Sequence, residues 1–149
     1  MTLEYCPGGE LFSLINKMKT NGHRGLSLSL ARFYASCILM GVEYLHSNKI
    51  IFKDLKSENI VISREGIAKL TDFGMSLHQY SPNKSNTSFS KKNPTLQISA
   101  PEVINNSSFS EASDWWSFGC LLYEMVVGKT AFTGISNFQI KASILYDKP

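Results

Sequence analysis

Acidic residues are missing from Phe73 to Pro101, a span rich in Ser, Asn and Lys from residue 76 to 99 and broken by Pro82 and Pro94. So polar a stretch reads as a loop or linker, and a loop this long inside a compact domain is usually functional or mobile. Cysteine is also scarce. Cys6, Cys37 and Cys120 lie far apart in apolar surroundings, an odd, scattered set that argues against a disulfide framework or a zinc site. They read as free thiols in a reducing compartment. No basic stretch followed by an apolar run comes after Met1, so no signal peptide is expected. No apolar run approaches the roughly 20 residues that a membrane span needs. A net charge of +3 is too mild to argue for a nucleic-acid surface. With 149 residues, 43% of them hydrophobic, the chain is expected to form one modest domain that is soluble and intracellular, cytoplasmic or nuclear.

Residues 1–12 predict a strand end, a Pro7-Gly8-Gly9 turn and a helix start. A short helix continues over 13–20 and is broken between Asn21 and Gly25. Apolar side chains at Leu30, Phe33, Tyr34, Cys37, Ile38, Gly41, Tyr44 and Leu45 recur at steps of three and four, the mark of a helix with one buried face. Ser27 is its N-cap and Asn48 its stop. Ile50 to Phe52 is a short apolar run. Ile60–Ile62 and Ile67–Leu70, joined by Ser63-Arg64-Glu65-Gly66, predict a β-hairpin. Residues 112–127 are apolar nearly all round and predict a helix buried on every side, closed by Gly128. Residues 136–145 predict one more short amphipathic helix. There is no internal repeat and no second domain.

The densest chemistry lies in FKDLKSENIV, Phe52 to Val61. Asp54, Lys56 and Asn59, on a loop before a strand, can converge on one point. A hairpin then returns the chain to the same edge with Asp72. A carboxylate and an amide are hard oxygen ligands suited to magnesium. A lysine offers a positive point charge to a phosphate. The second carboxylate is left to orient a hydroxyl and take its proton. That set suits phosphoryl transfer, in which catalysis is mostly positioning and charge stabilisation.

FKDLKSEN, TDFG, SAPE and DWWSFG, in this order and spacing, resemble the C-terminal lobe of a eukaryotic protein kinase. The aromatic before Lys53-Asp54, together with DWWSFG, resembles the AGC group of serine/threonine kinases. The resemblance implies an α+β large lobe, mostly α-helical with a small β-hairpin and without the N-terminal lobe. It divides residues 1–149 into a hinge at 3–10, a catalytic loop at 52–59, an activation segment at 72–102 and a central helix at about 112–127. It implies ATP and Mg²⁺ as cofactors. It makes Asp54 the acceptor of the substrate hydroxyl proton, Lys56 the γ-phosphate lysine, Thr95 the residue that touches both, and Asn59 and Asp72 the metal ligands. Leu3, Glu4, Cys6, Glu10 and Val61 would line the nucleotide site, with Glu4 and Cys6 offering backbone groups to the adenine edge. Glu10, Glu58 and Glu124 would receive basic residues ahead of the target Ser or Thr, so the expected partners are basic protein substrates and not nucleic acid. Phe52, Phe73, Gly74, Glu102 and Asp114 would be structural, Asp114 by holding the catalytic loop's backbone.

The chain also departs from that family. It carries no Gly-rich phosphate loop, no strand lysine and no helix glutamate to pair with it, and no arginine follows Glu102, whose family counterpart pairs with one. These residues alone are therefore expected to be a poor kinase, and a non-catalytic binding module or decoy stands as the alternative. Lys53 replaces the arginine that grips a loop phosphate, and Lys91 stands where AGC relatives carry the phosphorylated threonine. Ser90, with Ser88 and Thr87 nearby, is the nearest substitute, so control by loop phosphorylation is not expected.

Overall fold

A computed structural model of the chain describes residues 2–79, 95–106 and 108–147. The elements run α1 Leu11–Thr20, α2 Leu28–Ser47, β1 Ile50–Ile51, β2 Ile60–Ile62, β3 Ala68–Leu70, β4 Leu77–His78, α3 Pro101–Asn106, α4 Glu111–Val127 and α5 Asn137–Tyr146. This is the α+β, mostly helical architecture that the sequence implies.

Helix α2 begins where the Ser27 hydroxyl accepts from the Leu30 N–H at 3.3 Å and ends at Asn48, whose side chain donates to the Tyr44 carbonyl at 2.8 Å. Its buried stripe is Ala31, Tyr34, Ile38, Val42, Leu45 and His46. Phe33 and Tyr44, expected inside, are exposed. The inner face packs on α4 and β3, and the close approach favours small side chains: a Cβ on Gly41 would lie 3.1 Å from the Leu70 side chain. Contrary to expectation, α2 is long and apolar enough to cross a membrane by length and composition. Its inner stripe is nonetheless occupied by core partners, in a cluster that includes Leu11, Ile15, Phe52, Leu55, Ile60, Leu121 and Met125.

Strands β2 and β3 form the expected hairpin, with Ile60, Val61 and Ile62 opposite Leu70, Lys69 and Ala68. The strand end expected within residues 1–12 does not form. Its place is taken by an isolated bridge between Glu10 and Val61, with hydrogen bonds from the Gly8 N–H to the Ile62 carbonyl and from the Ile62 N–H to the Gly9 carbonyl. Gly8 is required there, because a Cβ would sit 2.6 Å from that of Ile62. An unexpected ladder pairs β1 with β4, Ile50 opposite His78 and Ile51 opposite Leu77. It returns the chain after the Phe73–Met75 turn to the start of the 52–59 loop.

Helix α4 passes between the main core and a smaller cluster of Ile98, Cys120, Phe132, Ile140 and Ile144. Burial in that second cluster pushes the Cys120 thiol up to about 11. Burial on every side is not observed, since Trp115 and Val126 are 38% and 39% exposed on flanks that neither cluster reaches. Helix α5 buries Ile140 and Ile144 but leaves Phe138 and Tyr146 exposed, so its outer face is not the polar one expected. None of the three cysteines is in a disulfide.

Candidate active site

Asp114, on the first turns of α4, is 1% exposed and carries three hydrogen bonds. The Phe52 N–H donates to Oδ2 and the Lys53 N–H to Oδ1, each at 2.8 Å, and His46 Nε2 lies 2.8 Å from Oδ2. A buried carboxylate without such partners would be strongly destabilising. Here it holds the entry of the 52–59 loop, where Lys53 takes a left-handed conformation at φ 73°. Sequence reasoning placed Asp114 against this backbone but missed His46, a lone histidine on a helix without any local pattern to mark it.

From that anchor the loop turns outward to Asp54. Asn59 Nδ2 donates to the Asp54 carbonyl at 2.8 Å and to its Oδ2 at 3.0 Å, while Lys56 Nζ lies 2.8 Å from the same oxygen. The Thr95 hydroxyl donates to Asp54 Oδ1 and accepts from Lys56 Nζ, both at 3.0 Å. Asp54, Lys56, Asn59 and Thr95 are thus one connected network.

Asp72 joins the same rim through the backbone, because the Thr71 N–H donates to the Asn59 carbonyl at 2.9 Å. Its own φ of 57° bends the chain, with Oδ1 accepting from the Gly74 N–H at 3.2 Å. Phe73 packs edge-on against the buried Phe52 ring, 5.3 Å between centroids, which pins the turn to the loop. With both Nδ2 hydrogens of Asn59 engaged, its Oδ1 is the atom left for a cation. That oxygen and the Asp72 carboxylate are hard oxygen donors of the kind magnesium takes.

Beside this rim opens a cleft of about 620 Å³, lined by Leu3, Glu4, Cys6, Val61, Asp72 and Phe73 among others. The structure therefore gathers four of the five expected nucleotide-site residues with Asp72. The fifth, Glu10, is not among the lining residues; it lies exposed at the N-terminus of α1, held by its bridge to Val61. Lys69 closes one side of the cleft through both carboxylate oxygens of Glu4, at 2.7 Å each.

Of the remaining acids, Glu58 is exposed and receives the fully buried Ser57 hydroxyl at 3.4 Å. Glu124 faces the same hydroxyl. Burial, with the nearby Glu58 charge, holds the Glu124 carboxyl above the ordinary range, against the lowering effects of Ser57 and Lys19. Glu58 and Glu124 are thus brought together; Glu10 is not placed in contact with either. Glu102 is half-buried on α3 and forms no ion pair among the described residues. Lys53 lays its ammonium 5.0 Å above the Phe109 ring, and burial lowers its pKa although Asp114 opposes the shift. Lys84, Thr87, Ser88, Ser90, Lys91, Lys92 and Pro94 lie outside the described residues.

Residues 1–148 match the protein kinase domain model. The chain belongs to the protein kinase domain family. It is 39% identical over 145 residues to the cAMP-dependent protein kinase type 3 of Saccharomyces cerevisiae, covering 97% of this chain and 34% of that protein. A cAMP-dependent protein kinase, catalytic subunit-like protein of Caenorhabditis elegans is 37% identical over 148 residues, 99% of this chain and 34% of its own length. The putative serine/threonine-protein kinase PRKY of Homo sapiens is 38% identical over 156 residues, 99% of this chain and 50% of the relative. The chain therefore spans about a third to a half of the length of these relatives.

Proposed function

We propose that the chain is the large-lobe part of an AGC-type serine/threonine kinase, which moves the γ-phosphoryl group of ATP to a protein hydroxyl. The observation that carries this reading is the network joining Asp54, Lys56, Asn59 and Thr95, with Asp72 one backbone hydrogen bond away. Asp54 orients the substrate hydroxyl and accepts its proton. Thr95 and Asn59 hold that carboxylate in one orientation, so the attacking oxygen is placed before it reacts. Lys56, tethered between Asp54 and Thr95, stands ready for the transferred phosphate. Asn59 and Asp72 would hold Mg²⁺, which when bound would neutralise charge on the phosphate oxygens. Glu58 and Glu124 receive basic residues ahead of the acceptor, where a carboxylate–guanidinium contact is strong and directional.

The test is Asp54→Asn in the full-length protein. The expected result is loss of phosphate transfer to a basic Ser/Thr peptide with nucleotide affinity retained. Transfer at the parent rate would overturn the role of Asp54. A peptide array preferring acidic or proline-directed sites would overturn the roles of Glu58 and Glu124.

A further inference from the structure

Next to Glu124 the molecule changes sign. A groove of about 500 Å³ is lined by Lys19, His23, Arg24, Val127, Gly128 and Lys129, with no acidic side chain among the described residues of its wall. Isolated surface lysines need no explanation, but this groove has a rigid floor. The Leu26 N–H donates to the Met125 carbonyl at 2.7 Å, and the Gly128 N–H closes α4 on the Glu124 carbonyl at 2.8 Å. Gly128 has φ 74°, and a Cβ there would fall 1.7 Å from the Arg24 carbonyl oxygen, so the two backbones touch. The loop that carries His23 and Arg24 is thereby fastened to the segment that carries Lys129. Lys19, on the last turn of α1, reaches far enough to influence the Glu124 carboxyl.

We infer that this groove is a second substrate subsite, one that takes an acidic stretch of the protein substrate lying beyond the basic residues held by Glu58 and Glu124. The inference rests on the proposed function and names a finer substrate class for it. Its logic is charge order. Asp54, Asn59, Ser57 and Glu124 follow one another by hydrogen bonds or loop adjacency, and the basic groove begins where Glu124 ends. A nucleic-acid backbone or an anionic lipid surface laid across this face would meet Glu58 and Glu124 with the wrong sign. A polypeptide that carries basic residues and then acidic ones matches both patches in turn, and exposed opposite charges of this kind set specificity and on-rate.

The experiment measures binding of three fluorescent peptides to the full-length protein by anisotropy: one with a basic pair before the Ser, one with the same pair preceded by a run of glutamates, and one with the glutamates alone. The glutamate extension is expected to tighten binding about tenfold, an advantage that fades as salt is raised. Arg24→Glu with Lys129→Glu should abolish that advantage and leave the basic-only peptide unchanged. Both side chains are exposed, so the variant is expected to keep the parent's denaturation midpoint. Lys129→Gln supplies a milder check, with a partial loss expected.

If the basic-only peptide binds and the extension adds nothing, the groove subsite is wrong while the proposed function stands. If the glutamate peptide binds through Arg24 and Lys129 but the basic pair adds nothing, the subsite stands and the roles of Glu58 and Glu124 fail. If neither peptide binds, both fail. Stronger binding of single-stranded DNA or of phosphatidylserine vesicles than of the extended peptide would also overturn the inference.

Discussion

Asp114 and Asp54 are both carboxylates with three partners, yet they sit in opposite settings. Asp114 is sealed under α4 and is met by two backbone N–H groups and a buried imidazole. Asp54 is reached by an amide, an ammonium and a hydroxyl, with its side chain 14% exposed at the edge of a cleft. The first acid is aimed at the chain's own backbone, whose loss of an acceptor inside the protein is costly. The second is held by side chains that can be rearranged one at a time and keeps a face toward solvent. A loop stapled at its entry by Asp114 can therefore hold a partly exposed carboxylate steady at its tip without burying it.

The strongest way to break this contrast is Asp114→Ala. It strands the Phe52 and Lys53 N–H groups and His46, each at about 1–3 kcal/mol, so a loss of about 3 kcal/mol or more is expected in urea unfolding. Asp114→Asn keeps an acceptor and should lose less. Thr95→Val acts at the other acid: it should leave the unfolding midpoint within about 1 kcal/mol of the parent while lowering kcat of the full-length protein about tenfold. A stability loss as large as that of Asp114→Ala would erase the distinction between the two sites.

Glu124 gives a pH-dependent prediction. Its carboxyl is held above the ordinary range, first by burial. The stability it contributes is therefore present below the ordinary glutamate pKa and lost as pH rises through the higher folded value. Affinity for a basic peptide should run the other way and fall as acidification protonates Glu124. Glu124→Gln should flatten both profiles, measured by chemical unfolding and by anisotropy across mildly acidic pH. The smallest effect is expected from Lys69→Gln. Its ion pair with Glu4 is exposed, so the unfolding midpoint should not move, while nucleotide affinity shifts slightly and does so only at low salt.

The regions that could be read from sequence are those where several residue types had to agree. FKDLKSEN and TDFG name the groups that converge at the rim because few other arrangements need an acid, a lysine and an amide at that spacing. The β2–β3 hairpin announced itself through a turn between two apolar runs. The β1–β4 ladder did not, because two-residue strands have no period to detect and their pairing is set by tertiary contact. The stripe of α2 was misplaced for a related reason. Aromatic Phe33 and Tyr44 fall at the same helical spacing and carry more carbon than Ala31 and Val42, but the close packing of α2 favours the smaller pair. His46 escaped notice because a buried histidine owes its place to a partner far away in the chain.

The burial of Cys120 also bears on how this protein would respond to thiol reagents. Burial pushes its thiol up to about 11, so little of it carries the reactive sulfur anion near neutrality. Cys6, by contrast, stands on the wall of the cleft beside Val61 and Asp72. An alkylating agent should therefore mark the cleft wall before it reaches the interior, and a nucleotide seated there would shield that mark.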